Sequence, residues 1–223
     1  MKVYSIKLKS IIILVIAVLA IPILYFSTRE TVSVFLVNGR EIPIYSVERD
    51  DNKIAVTFDC AWSDEDIPKI LDTLDTYNCK ATFFVVGDWA EKYPDSLKMI
   101  SDRGHEIGNH SYNHADYTKL GADEIISDLD KCDNIIESII GKRPILMRAP
   151  SGGYNNTVVK AAENSGRFYI QWSVDGIDYG NAVAGEIYDR SVKNTKAGDI
   201  ILLHNGTKHT AEVLPKILEA LEC

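Results

Sequence analysis

The run 53–59, KIAVTFD, reads as a buried strand, and it delivers a carboxylate and then a thiol at its tip, Asp59 and Cys60. Either side chain could ligate a metal, and the carboxylate could instead serve as a general base. Two histidines stand four apart in HSYNH, His110 and His114. If that segment is one helical turn, both imidazoles face the same way and can share a metal. Arg148 closes the apolar run ILMR. A buried guanidinium is costly without a carboxylate, so Asp59 is its expected partner, and the pairing would hold Asp59 ionised. His204 closes DIILLH. A packed core histidine is its plainer reading, but Asp178, with Asp175 nearby, could orient and charge it. His105 opens its strand instead of ending it, so it is read as structural.

These side chains need elements that bring them together. The spacing of apolar residues predicts strands over KIAVTFD, Ala81–Val86, HEIGNH, Ile145–Arg148, FYIQWSV (168–174) and Asp199–His204. It predicts helices over Glu65–Tyr77, around Ser96–Asp102, and over Ala122–Ile140, Thr157–Ser165, Glu186–Asn194 and Ala211–Leu221. A short hairpin is expected around Asn38-Gly39. Alternating strands and helices imply an α/β fold with a parallel sheet, and this many units implies a barrel or near-barrel. Asp59, Arg148 and His204 each end a strand, and His110 and Asp178 follow two more. In a parallel barrel those ends gather on one face, where sites are built.

Three lysines (Lys2, Lys7, Lys9) precede the uninterrupted apolar run Ile11–Phe26. A basic flank before ~16 apolar residues reads as a signal core or short span. No small-residue cleavage motif follows, so residues 1–27 are expected to be a transmembrane signal-anchor with the lysines on the cytoplasmic side. Residues 28–52 are expected to be a linker and 53–223 the catalytic domain, outside the cytoplasm on a single-pass cell-membrane protein. The chain has 24 basic and 32 acidic side chains. Setting aside the three leading lysines leaves 21 against 32, a net −11 for residues 28–223. That balance argues against nucleic acid as a partner. The four cysteines (Cys60, Cys79, Cys132, Cys223) show no paired spacing, so neither a disulfide framework nor a structural zinc knot is expected.

Taken in order, TFDCAW, HSYNH, RAPSGGY, WSVDGIDY and ILLHNG resemble the five motifs of the polysaccharide deacetylases, carbohydrate esterase family 4, over about residues 53–221. The chain looks most like the membrane-anchored, sporulation-type members. The resemblance implies a distorted (β/α) barrel of seven or eight parallel strands. It also implies a divalent metal, zinc being the best match, and removal of acetyl groups from N-acetylhexosamine units of a cell-wall glycan such as peptidoglycan. By the same resemblance Asp59 is the base, His110 and His114 are metal ligands, and Arg148 pairs with the base. The Ser151 N–H is the oxyanion donor, His204 the general acid and Asp178 the carboxylate that tunes it. Leu202 walls the acetyl pocket, and Tyr179 and Trp172 line the substrate rim.

The pattern departs from the family in three places. Cys60 stands where the family has an Asp that ligates the metal, so the thiol is either a ligand or points away. Tyr179 stands where Trp is usual. The family continues past its last helix into a closing strand and helix where this sequence stops at Cys223, so the expectation is either a barrel left open or an incomplete sequence. A degenerate member that binds glycan without turnover, and an O-acetyl esterase, are the alternative functions.

Overall fold

The computed structural model describes residues 36–37 and 40–222. The expected transmembrane segment, residues 1–27, lies outside the described residues. Among the described residues no helix is long and apolar enough to cross a membrane.

Strand β1 (Leu36–Val37) pairs antiparallel with β2 (Arg40–Glu41), the hairpin pairing expected around Asn38-Gly39. Strand and helix then alternate through β3 (Ala55–Cys60), α1 (Ile67–Thr76) and β4 (Thr82–Val85). Two short helices follow, α2 (Gly87–Lys92) and α3 (Pro94–Asp102), then β5 (Glu106–Asn109), α4 (Ala122–Ile140) and β6 (Leu146–Met147). The chain continues through α5 (Asn156–Asn164), β7 (Phe168–Tyr169), β8 (Val174–Asp175), α6 (Ala184–Val192), β9 (Ile200–His204) and α7 (Thr210–Ala220). Seven strands form one sheet in the order β7-β6-β5-β4-β3-β9-β8, and every neighbouring pair is parallel.

The helices form where the apolar spacing predicts them. In α1, Ile67, Ile70, Leu71 and Leu74 make a buried stripe. Each such side chain stabilises the fold by about 1.5–3 kcal/mol relative to exposure. Helix α4 starts where the Glu124 carboxylate accepts the Gly121 N–H and stops at Gly141, whose φ of 70° closes the last turn. Val56, Phe58 and Cys60 of β3 join Phe83, Val85, Ile201 and Leu203 in the cluster that packs under α1 and α7. Successive strand residues point to opposite faces. Thr57 and Asp59 therefore face the other way, into the concave side of the sheet.

Residues 168–174, read as one strand, are two. Strand β7 lies at one edge of the sheet against β6, and β8 lies at the other edge against β9. Residues 170–173 cross between them. Part of the expected linker is also tied to the sheet. Ile44 bridges Ile170, and Ser46 bridges Asp199. The Val47 N–H donates to the Gly198 carbonyl at 2.9 Å. Gly198 has φ of 83°, and a Cβ there would meet the Val47 oxygen, so glycine is required.

One cysteine expectation is corrected. Cys79 is disulfide-bonded, whereas Cys60 and Cys132 are free. Disulfide pairing follows Cα separation in space and not spacing in sequence.

Candidate active site

The parallel sheet brings four chemical side chains to one end. Asp59 and His204 face each other in the β3–β9 register. His110 follows β5, its N–H donating to Val85 at the tip of β4. Arg148 follows β6 and is fully buried. Its Nη1 donates to Asp59 Oδ1 at 2.7 Å and to Thr57 Oγ1 at 2.9 Å. Nη2 and Nε donate to the carbonyls of Gln171 and Ile170, the crossing segment. The guanidinium also stacks 4.1 Å from the Phe84 ring centre. Burial opposes ionisation of Asp59, but the Arg148 charge, with His110 and His204, outweighs it and holds the carboxyl below its usual range.

His110 Nδ1 lies 2.8 Å from the Arg148 carbonyl oxygen. A carbonyl only accepts, so Nδ1 carries the proton and Nε2 is left with its lone pair. That Nε2 faces Asp59 Oδ2 at 3.4 Å. Burial pushes the imidazole down to about 4, so two unprotonated acceptors confront one another, an arrangement a cation relieves. His114 is exposed, its ring centre 5.2 Å from that of His110. The two rings meet without a helical turn. HSYNH is an irregular loop with left-handed backbone at Ser111 and His114. Two imidazole donors, one with its tautomer set by a carbonyl, fit zinc or a similar divalent metal. Among the described residues no group of three His, Cys, Asp or Glu side chains forms a complete metal cluster. The protein thus offers the two histidines, with Asp59 beside them.

Cys60, expected as a tentative third ligand, lies elsewhere. One residue beyond Asp59, its side chain turns to the opposite face and is fully buried in the apolar cluster under the helices. Burial, with Asp59 and Asp66 nearby, raises the thiol well above its usual value, the reverse of a metal-ready thiolate. Cys60→Ser is therefore expected to leave zinc affinity unchanged in a titration of the chain. A fall of about tenfold or more would return the thiol to the ligand set.

His204 meets its expected partner. Its Nδ1 is 2.7 Å from Asp178 Oδ1, and its backbone N–H donates to Oδ2 at 2.7 Å. The buried Thr210 hydroxyl also donates to Oδ2. Burial disfavours the imidazolium, yet the Asp178 hydrogen bond and charge raise its pKa. Asp178 is placed by Ile177, a β-branched residue with φ of 47°, a strained backbone of the kind found at functional sites. Leu202 lies on the inner face of β9, two residues before His204. Tyr179 is exposed, its ring edge-on to His204 at 5.5 Å. Trp172 is half-buried, 5.5 Å from Arg148, and would touch any side chain at Gly152. Next to it Ser151 turns with φ of 55°, its N–H without a partner among the described residues. His105, read as structural, precedes β5 at the far end of the sheet.

The sequence reading did not assign Trp62 to the site. Half-exposed, its ring centre stands 5.4 Å from that of His204. Its signal was an aromatic two residues beyond a strand tip that carries the Asp. Asn205 ties this region down, its amide donating to the Ser63 carbonyl.

The polysaccharide deacetylase family model matches residues 46–170. The chain is 35% identical over 190 residues to the uncharacterized protein YlxY of Bacillus subtilis, covering 85% of this chain and 59% of that one. It is 35% identical over 174 residues to a peptidoglycan-N-acetylglucosamine deacetylase of Bacillus cereus, covering 76% of this chain and 63% of that one. The chain thus spans less than two thirds of the length of either relative. Among solved structures it resembles BA3943 of Bacillus anthracis, described as a pseudoenzyme of carbohydrate esterase family 4. The TM-score is 0.78 at 33% identity, over 81% of this chain and 64% of that one. A mutant of that protein, described as having restored enzymatic activity, matches equally well by TM-score.

Proposed function

Because the chain belongs to the polysaccharide deacetylase family, we propose that it is a metal-dependent hydrolase. Its substrate would be the N-acetylhexosamine units of a cell-wall glycan, peptidoglycan or a related polysaccharide. The observation that carries this reading is the contrast between two facing groups. Asp59 is held ionised while His204 is pushed towards its protonated form, and such a pair divides into base and acid. Asp59 takes a proton from the attacking water as its oxygen bonds to the acetyl carbon. The Ser151 N–H steadies the oxyanion, the carbon–nitrogen bond breaks, and His204 gives its proton to the leaving amine. Acetate and a free amine result. A divalent metal held by His110 and His114, zinc on donor preference, would supply Lewis acidity that polarises the carbonyl and eases deprotonation of water. Leu202, Tyr179 and Trp172 would bound the acetyl group and sugar.

The burial of Cys60 away from the histidines, together with the likeness to a pseudoenzyme, favours one second reading, a glycan binder without turnover. Incubating the zinc-loaded chain with N-acetylated glycan and measuring acetate separates the two. Release supports the hydrolase, and binding without release supports the second reading.

The acid role of His204 has a pH signature. His204 works when protonated, so kcat/KM falls as pH rises through its elevated pKa. Asp178→Asn removes the largest of the groups that raise that pKa and leaves only the more weakly acting Asp59 and Asp175 charges to oppose burial. The alkaline limb of the pH profile should move to lower pH, and an unmoved limb would rule His204 out as the acid.

The apolar run of residues 11–26 supports a cell-membrane anchor with the hydrolase outside the cytoplasm. The disulfide at Cys79 supports the same compartment, since disulfides persist where conditions are oxidising. Recovery of a soluble form beginning near residue 28 from fractionated cells would refute the anchor.

A further inference from the structure

The loop that carries the histidine pair does not hold itself in place. Ser111 and His114 both adopt left-handed backbone without being glycine, so something outside must impose that shape. One face of α4 does so. The Asp128 Oδ1 accepts the Tyr112 N–H at 3.0 Å and the Tyr117 hydroxyl at 2.5 Å. A single carboxylate oxygen thus spans the loop from one side of His114 to the other. One turn further along the helix, the fully buried Asp133 accepts the Asn109 side-chain N–H at 2.5 Å. Asn109 also donates to the Leu129 carbonyl and accepts the Ser111 N–H. Asn109 immediately precedes His110, and its Oδ1 bond is the one that fixes the left-handed Ser111. Asp133 is held in turn by Arg167, through Nε and Nη2 at 2.9 and 2.6 Å. Within the loop the Ser111 hydroxyl accepts the Ala115 N–H.

From this geometry we propose that α4 is the positioning element of the histidine pair. Asp128 sets the loop around His114, and Asp133, through Asn109, sets the approach to His110. Both carboxylates act through Tyr112, Tyr117 and Asn109 and not on the imidazoles themselves. The inference rests on the metal reading given above and deepens it. Without Asp128 the Tyr112 N–H and Tyr117 hydroxyl lose their common acceptor, and the segment between them is free to relax out of its left-handed form. His114, exposed and in ring contact with His110, then spends less time beside it.

The test is zinc affinity of the full-length chain, measured by competition with a chromophoric chelator, with thermal stability measured alongside. Groups that orient ligands in this way are worth roughly ten- to a hundredfold in metal affinity, and Asp128→Ala should lose that much. Tyr117→Phe, which removes one of the two donors, should fall between Asp128→Ala and wild type. Asp128→Asn retains an accepting oxygen and should recover most of the loss. Ile136→Ala is the control. It opens a cavity in the buried face of α4, lowering stability without touching the loop, and should leave zinc affinity unchanged. Wild-type affinity in Asp128→Ala would overturn the positioning role, as would an equal loss in Ile136→Ala. A wild-type chain that bound no zinc would instead overturn the metal reading, and the positioning role with it.

Discussion

Asp59→Asn should retain its bound metal while turnover falls by about 10²–10⁴, the usual worth of a positioned base. The amide is the same size as the carboxylate, and its oxygen can still accept from Arg148 Nη1, now at 2.7 Å. What disappears is the charge and the basicity, not the packing. His110 keeps its orientation, because its Nδ1 proton is held by the Arg148 carbonyl and not by Asp59. The check is kcat for acetate release together with metal content of the same preparation. If metal and activity vanish together, Asp59 is a ligand and the base assignment fails.

Arg148→Met should be the most damaging single change to the fold. It removes the cation from a buried ion pair and strands the Ile170 and Gln171 carbonyls, while the Thr57 hydroxyl keeps only its bond to the Ile201 carbonyl. Breaking a buried ion pair from one side costs about 3–5 kcal/mol. The pH dependence has a definite sign. Asp59 has a lowered pKa in the folded chain, so its contribution is present above the unfolded carboxylate value and lost as pH falls through the folded one. In Arg148→Met that contribution should be missing at neutral pH. The urea midpoint at pH 7 measures the loss, and a midpoint equal to wild type would show that Arg148 does not hold the barrel interior.

Much of this site could be read before any coordinates, because its logic is local. Asp59, Arg148 and His204 each end an apolar run, and in a parallel sheet that alone puts them on one face. Helix α4 could be read to its ends, since Glu124 and Gly141 mark its termini in the sequence itself. The orientation of Cys60 was also within reach. Neighbouring strand residues alternate, so a thiol beside an inward Asp must face out. Other features depend on partners far along the chain. FYIQWSV has the composition of one strand, and only the sheet order shows that its two ends lie on opposite edges. HSYNH fits a helical turn and a loop equally well by spacing. Its loop form is imposed by Asp128, sixteen residues away from the Tyr112 N–H it accepts.

Ser111, His114, Ser151 and Ile177 all hold left-handed backbone with side chains attached, and all four sit in the loops around the site. Each such residue costs of order 1–3 kcal/mol. Heat tolerance and turnover therefore make opposite demands on the same few positions. A laboratory lineage selected only to survive warming would be drawn to relax these loops first. Its descendants would resist heat better and hold the site's side chains less well in register, with every residue of the sheet unchanged.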